Sequence, residues 1–187
     1  MQSPWSFVVR PIGGNRYVNE KNISGVDFIV NTSEENHNAS NREAEVVELP
    51  IGYTGKIQKG DTLLVHHNVF KYYNDMYGRK KSGKSFLKDD LFLVEWDQFF
   101  MYKQDGQWNA HDKYCFIKPI KKFDRVIESL DKEEPNMGQI THPNRYLLSK
   151  GVKVGDIVAH KPDCNYEFNV DGEKLYRLYD HQISMVL

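Results

Sequence analysis

Apolar residues recur along the chain in short clusters with strand-like spacing. Residues 42–49, 62–66, 91–96 and 174–179 are rich in Val, Leu, Phe and Tyr and are bounded by turn formers. Turn signals are frequent: Gly13-Gly14-Asn15, Pro50-Ile51-Gly52, Lys59-Gly60-Asp61, Asp105-Gly106, Val154-Gly155-Asp156 and Asp171-Gly172. The best helical stretch, 123–133, lacks a good cap and runs into Pro135. No strand–helix–strand alternation extends over the roughly 30 residues such a unit needs, which argues against a nucleotide-binding α/β fold. The pattern predicts an all-β chain of sandwich or barrel type. Two stretches break it. Residues 31–41, NTSEENHNASN, are almost wholly polar, cannot offset their ordering entropy by burial, and are expected to form a mobile loop. Residues 103–111, KQDGQWNAH, read as a second loop and a linker.

The two halves of the chain repeat one another. GKIQKGDTLLV at 55–65 matches GVKVGDIV at 151–158, each placing an apolar residue, a Gly-Asp turn and an apolar strand in that order. Glycine supplies the turn dihedrals that other residues avoid, and the aspartate caps the turn with its carboxylate. Upstream, Val9-Arg10-Pro11-Ile12 matches Ile117-Lys118-Pro119-Ile120; downstream, Gln98-Phe99-Phe100-Met101 matches Gln182-Ile183-Ser184-Met185. Three landmarks in one order predict two tandem copies of an all-β unit, residues 1–105 and 106–187.

Composition narrows the class further. A length of 187 residues suits one large domain or two small ones. Lys and Arg number 25 against 26 Asp and Glu, a net charge of -1, which argues against electrostatic binding to nucleic acid or anionic membranes. Aromatic residues at 13% are too many for an intrinsically disordered chain. Apolar runs such as 7–9 and 91–94 fall far short of the ~20 residues of a membrane-spanning helix. The start, MQSPWSFVVRP, has neither the basic nor the apolar region of a signal peptide, so a cytoplasmic protein is expected. Cys115 and Cys164 are far apart, with no second Cys or close His to make a metal motif. They read as buried free thiols in a reducing compartment, the alternative being a disulfide.

An opening strand with Arg-Pro, a polar loop, a strand, the V-x-x-G-D-x-V turn and a closing apolar strand form an order that resembles the chaperonin-10 (GroES) family. The closest stretches are VKVGDIV at 152–158 and IKPIKKFDRVI at 117–127, with ISGVDFIVNTS at 23–33 similar to the family's mobile loop. The resemblance covers nearly the whole chain, twice. It implies two tandem GroES-like small β-barrels, the first with a mobile loop at about 19–42 and the second without an evident one. It implies binding rather than catalysis: no catalytic residue, cofactor or metal, and no nucleic acid or membrane partner. The apolar triplet Phe28, Ile29 and Val30, after a turn at Gly25, would dock on an ATP-bound chaperonin-60 (GroEL-like) ring. Gly60-Asp61 and Gly155-Asp156 would be structural turns. The implied partners are that ring, a folding client and further copies of the chain in a homo-oligomeric ring.

The chain departs from the family in three places. The family's roof hairpin has no room between Leu49 and Gly60 or between Ile140 and Gly155, as in phage-encoded co-chaperonins, for which the location would be the host cytoplasm. The stretch 128–137, ESLDKEEPNM, has no Gly followed by an apolar triplet. The two-unit layout is similar to the tandem co-chaperonin of chloroplasts, with a single evident binding loop.

Other motifs compete for attention. GRKKSGKS at 78–85 matches the phosphate-loop pattern, but that mechanism needs a following helix to aim its N-terminus at phosphate, and FLKDDLFLVEW reads as strand. A solvated basic hairpin is expected instead. Its tyrosines and basic residues, Tyr72, Tyr73, Tyr77, Arg79, Lys80 and Lys81, suit either a protein interface or bases and sugars. His66 and His67, if on a strand, point to opposite faces and cannot share a metal. Phe28–Val30 also has a plain alternative, an ordinary core strand. Two other functions fit the pattern less closely: an assembly protein using paired barrels for subunit contacts without a chaperonin, and a fragment of a medium-chain dehydrogenase, which would need a Rossmann domain that is not visible.

Overall fold

The computed structural model describes residues 2–17, 20–23, 26–29, 40–121 and 133–187. The chain divides into two compact units, Met1–Gln107 and Trp108–Leu187. The first unit holds β1 (Phe7–Pro11), β2 (Glu20–Ile23), β3 (Val26–Ile29), β4 (Glu43–Glu48), β5 (Thr62–Val65), β6 (Tyr72–Asn74), β7 (Lys80–Ser82), β8 (Phe86–Lys88), β9 (Leu91–Val94) and β10 (Phe99–Gln104). The turn Asp105-Gly106 then leads into β11 (Gln107–Ala110). The second unit continues with β12 (Tyr114–Lys121), β13 (Glu133–His142), the helix α1 (Arg145–Ser149), β14 (Ile157–His160), β15 (Tyr166–Val170), β16 (Glu173–Tyr179) and β17 (Ile183–Val186). The chain is all-β apart from this one short α-helix among the described residues.

Both units are built on one strand order. In the first it runs β10-β5-β4-β1-β9-β8, and in the second β17-β14-β13-β12-β16-β15, with antiparallel pairing. The register agrees residue by residue. Val9 faces Val46 and Pro11 faces Ala44; Ile117 faces Ile140 and Pro119 faces Gly138. The paired prolines have one cause. β9 pairs with β1 only as far as Val9, and β16 pairs with β12 only as far as Ile117, so neither proline has to donate a ladder hydrogen bond on that side. Among the described residues no pairing closes either sheet on itself.

The Gly-Asp turns are superposable in their hydrogen bonds. Gly60 and Gly155 hold φ of 89° and 97°, the left-handed region that favours glycine. Gly60 donates to the Val46 carbonyl and Gly155 to the Ile140 carbonyl, both at 2.8 Å. Val46 and Ile140 donate back to the carbonyls of Asp61 and Asp156 at 2.9 and 2.8 Å. The Asp61 carboxylate accepts from the Gln58 amide, and that of Asp156 from the Lys153 amide, both at 2.8 Å. Gln98 and Gln182 repeat likewise: their side-chain oxygens cap the amides of Glu95 and Tyr179 at 2.9 and 2.8 Å.

Each unit has its own core, filled by the inward face of alternating strands. In β4, Ala44 and Val46 are buried while Glu43 and Glu45 at the alternate positions are only partly buried. The first core gathers Phe7, Val9, Val46, Leu63, Phe70, Phe92 and Phe99. The second gathers Cys115, Ile117, Ile140, Leu147, Val158 and Leu178.

Several local expectations are corrected. Residues 103–111 are not a loop: β10 runs to Gln104, and Asp105 and Gly106, with φ of 49° and 79°, turn it tightly into β11. Helix α1 was not foreseen in the sequence. Its cap is the buried Asn144, whose Oδ1 accepts from Leu147 at 2.8 Å and whose Nδ2 donates to Asp112 and Asp180, both at 2.9 Å. β5 ends at Val65, so His66 and His67 escape strand alternation and their rings lie 4.1 Å apart. Residues 123–132 of the weak helical candidate lie outside the described residues, while Glu133 opens β13.

Candidate functional site

The long polar insertion of the first unit leaves the sheet after β1 and returns at β4. Its base is clamped. Tyr17 and Ser40 form an isolated antiparallel bridge, and the Asn41 amide donates to the Arg16 carbonyl at 2.9 Å. Asn41 Nδ2 donates to the carbonyls of Ile12 and Asn15 at 2.9 and 2.8 Å, while its Oδ1 accepts from the Glu43 amide at 3.0 Å. The expectation of a mobile loop over 31–41 therefore fails at its last two residues. Ser40 and Asn41 are buried, because satisfying these backbone groups requires them inside. Residues 31–39 lie outside the described residues.

A hairpin from the same unit holds the base from the other side. Among the described residues β6 and β7 pair only with each other, Tyr72 opposite Ser82 and Asn74 opposite Lys80. The Tyr72 amide donates to Tyr17 Oη at 2.8 Å, Arg16 Nη1 to Ser82 Oγ at 2.9 Å, and Ser40 Oγ to the His67 carbonyl at 2.9 Å. The Arg16 guanidinium lies 4.2 Å from the Tyr72 ring centre, 4.7 Å from Phe92 and 5.0 Å from Phe86. Such a cation–aromatic nest contributes on the order of 1–2 kcal/mol where water is partly excluded. A cleft of about 710 Å³ adjoins the base, its Arg16 and Lys80 balanced by Asp89 and Asp90, so its lining favours neither sign of ligand charge.

The phosphate-loop pattern at 78–85 sits on this hairpin. β7 carries Lys80–Ser82, Ser85 is buried, and β8 rather than a helix follows, so no helix N-terminus is available to a phosphate. Asp75 organises the turn: its Oδ1 accepts from the amides of Tyr77 and Arg79, both at 2.9 Å, and its Oδ2 pairs with Lys81 at 3.3 Å. These bonds hold the Asp75 carboxyl below its ordinary range, the Arg79 amide contributing most.

Of the predicted contact residues, Phe28 and Ile29 are in β3, opposite Lys21 and Glu20 of β2, in a hairpin that among the described residues pairs only with itself. Gly25 and Val30 lie outside the described residues. Gly60-Asp61 and Gly155-Asp156 occupy the matched turns described above. The sequence reading missed Arg16, Tyr17, Ser40 and Asn41, whose pairing spans the whole insertion and leaves no local signal.

At the equivalent place in the second unit, β12 and β13 are joined by 122–132, which lie outside the described residues. The flanking pair Lys121 and Glu133 face each other. Glu133 accepts from Tyr176 Oη and pairs with Lys174 at 2.8 Å, and Lys174 also reaches Glu167 at 3.2 Å. Burial pushes the Glu133 carboxyl up, but the hydrogen bonds from Lys174 and Tyr176 outweigh it and the net shift is down. Lys174 is held above its ordinary value chiefly by its bond to Glu133.

The two thiols are free. Burial pushes Cys115 up to about 12, so it stays protonated and inert. Cys164, also raised by burial, donates from Sγ to the Lys161 carbonyl at 2.8 Å and lies 3.5 Å from His160 Nδ1. A close histidine therefore does exist, which the sequence reading did not credit. Among the described residues no three His, Cys, Asp or Glu side chains converge as a metal site, and no helix is long and apolar enough to cross a membrane. No known family model matches the chain, and no curated protein matches it in sequence.

Proposed function

We propose that this chain is a co-chaperonin: two GroES-like barrels in tandem that cap an ATP-bound chaperonin-60 ring through the insertion between β1 and β4, enclosing a folding client. The observation that carries the proposal is the repeated strand order with matched Gly-Asp turns, joined to a polar insertion whose base is fixed by buried Tyr17, Ser40 and Asn41. A rigid base under a binding segment confines it to one exit from the barrel and lowers the entropy lost on docking. Phe28, Ile29 and Val30 make the contact. Burying each contributes ~1.5–3 kcal/mol, against an ordering cost of ~2–5 kcal/mol for the segment. One insertion binds weakly, so the mechanism requires several copies on one ring and gains its affinity through avidity.

The test is light scattering after size-exclusion chromatography, on the protein alone and mixed with a chaperonin-60 ring, with and without ATP. Co-elution only with ATP, lost in Ile29→Asp while the oligomer persists, is the expected result. Capture unchanged by Ile29→Asp removes the insertion from the mechanism. A second reading, an assembly protein without a chaperonin, draws on the edge position of β17, whose flank exposes Met185, Val186 and Leu187. A stable oligomer indifferent to ring and ATP favours that reading.

A further inference from the structure

Between the third strand of the sheet and its edge strand, the second unit needs only residues 161–165, whereas the first spends 66–85. The extra chain is the β6–β7 hairpin. Over 71–84 it carries five basic side chains, Lys71, Arg79, Lys80, Lys81 and Lys84, against one acid, Asp75, and that acid is consumed by its own turn and Lys81. The rest of the chain has the opposite balance, since the whole is slightly acidic. The tip projects Met76, 90% exposed, and Tyr77, 74% exposed. Neither packs the core, so burial does not account for them.

We propose that this hairpin is a second docking element for the protein partner of the neighbouring insertion, seated on an acidic surface of that partner. The inference rests on the co-chaperonin reading for the partner's identity. Two observations select a protein surface over a nucleic acid. Tyr72 is already occupied: Arg16 and Lys80 lie 4.2 and 4.0 Å from its ring centre and Tyr17 stacks on it. Tyr77 carries Arg79 at 5.3 Å. A single-strand binder needs a succession of open aromatic faces along a basic groove, and beyond Tyr73 this hairpin presents an exposed Met-Tyr tip beside Arg79. Met, Tyr and Arg are the residues enriched in protein interfaces. Continuity supplies the rest: the hairpin is hydrogen-bonded to Arg16 and Tyr17 at the insertion's base, and Ser40 of that base bonds the His67 carbonyl just before it, so a body docked on the insertion meets the hairpin beside it.

The test compares wild type with Arg79→Glu/Lys84→Glu and with Met76→Ser/Tyr77→Ser, mixing each with a chaperonin-60 ring and ATP at low and high salt. All four side chains are exposed and the turn is fixed by Asp75, so the variants fold. The charge variant is expected to associate about tenfold more slowly at 50 mM salt, with the gap closing to about twofold at 0.5 M, because exposed charges steer encounter and salt screens them. The tip variant is expected to dissociate about tenfold faster at both salts, since apolar contacts at an interface centre govern the off-rate. Ring binding by wild type with both variants unaltered overturns the hairpin inference and leaves the co-chaperonin reading intact. No ring binding by wild type overturns both. A parallel titration with a single-stranded oligonucleotide at 150 mM salt is expected to show none; binding abolished by the charge variant would overturn the proposal in favour of a nucleic-acid site.

Discussion

The first unit starts its sheet with Phe7-Val8-Val9 and the second with Cys115-Phe116-Ile117, and these residues stand at equivalent places: Phe7 opposite Val94, Cys115 opposite Leu178. One strand order is thus filled with two kinds of core. In the first, Phe7 makes edge-on contacts with Tyr53, Trp96 and Phe99 at 5.2–5.5 Å, and Phe70 packs the same way on Phe92 at 4.8 Å. In the second, the cluster around Cys115 is aliphatic and borrows Leu147 from the short helix. The bases of the two insertions differ in the same sense. The first is held by buried hydrogen bonds and a cation–aromatic nest, the second by partly exposed ion pairs around Glu133 and Lys174. Backbone hydrogen bonding and Gly-Asp turns define the unit, and its contents are free to diverge.

The largest effect that sharpens this contrast is truncation at the matched core position. Phe7→Ala removes a fully buried ring and is expected to cost about 3–5 kcal/mol. Cys115→Ala deletes one buried atom and is expected to cost on the order of 1 kcal/mol. Denaturant unfolding with hydrogen exchange read along the chain separates the two units. Equal losses at the two positions would show that the cores are equivalent despite their composition.

Next comes a one-methyl difference. Ala44 and Gly138 occupy the same place, opposite Pro11 and Pro119. A Cβ on Gly138 would lie 2.5 Å from Ile117 Cδ1 and 3.0 Å from its Cβ, whereas the first unit has Val9 where the second has Ile117. Glycine is there because isoleucine took the space. Gly138→Ala is expected to destabilise by about 1–3 kcal/mol through overpacking, and adding Ile117→Val, which recreates the Val9–Ala44 pair, should recover most of the loss. Failure of that rescue in a thermal melt would place the constraint in the backbone instead.

Much of this plan was legible in the sequence, for physical reasons that also set the limits. A Gly-Asp turn is a local motif: the glycine's dihedral and the carboxylate's cap on the residue three before it are encoded within four positions, so both copies could be read directly. Pro11 and Pro119 were legible as a repeat, although their cause, a neighbouring strand that stops two residues earlier, is non-local. The clamp was illegible because Asn41 finds its partners, Ile12 and Asn15, across the whole insertion, and a polar residue after a polar run looks solvated. Helix α1 was missed because five residues carry too little periodicity; its cap, Asn144, owes its burial to Asp112 and Asp180.

The turns supply the control. Asp61→Ala and Asp156→Ala each delete one carboxylate–amide bond of 2.8 Å in matched surroundings, so each is expected to cost about 1 kcal/mol, equal within a few tenths. A clear inequality in denaturant midpoints would mean that the turns are alike in geometry but not in energetic role.

The smallest effect concerns pH and separates the units by the window in which each loses stability on acidification. His142 pairs with Phe116 at the place where Glu48 pairs with Val8. Burial holds the His142 imidazole below its ordinary value of 6.5, outweighing Glu173 and Asp171. With the folded value depressed, the unfolded chain binds the proton more readily. The contribution is therefore fully present above pH 6.5 and is lost as pH falls from there through the folded value. Glu48 is lowered chiefly by its hydrogen bond from Lys59, so its small contribution persists to lower pH and is lost only below about 4.5. Lowering the pH from 7 to 5.5 should thus weaken amide protection along β12 and β13 while leaving β1 and β4 unchanged, and His142→Gln should abolish the difference. Protection lost equally in both pairs of strands would assign the acid sensitivity to groups the two units share.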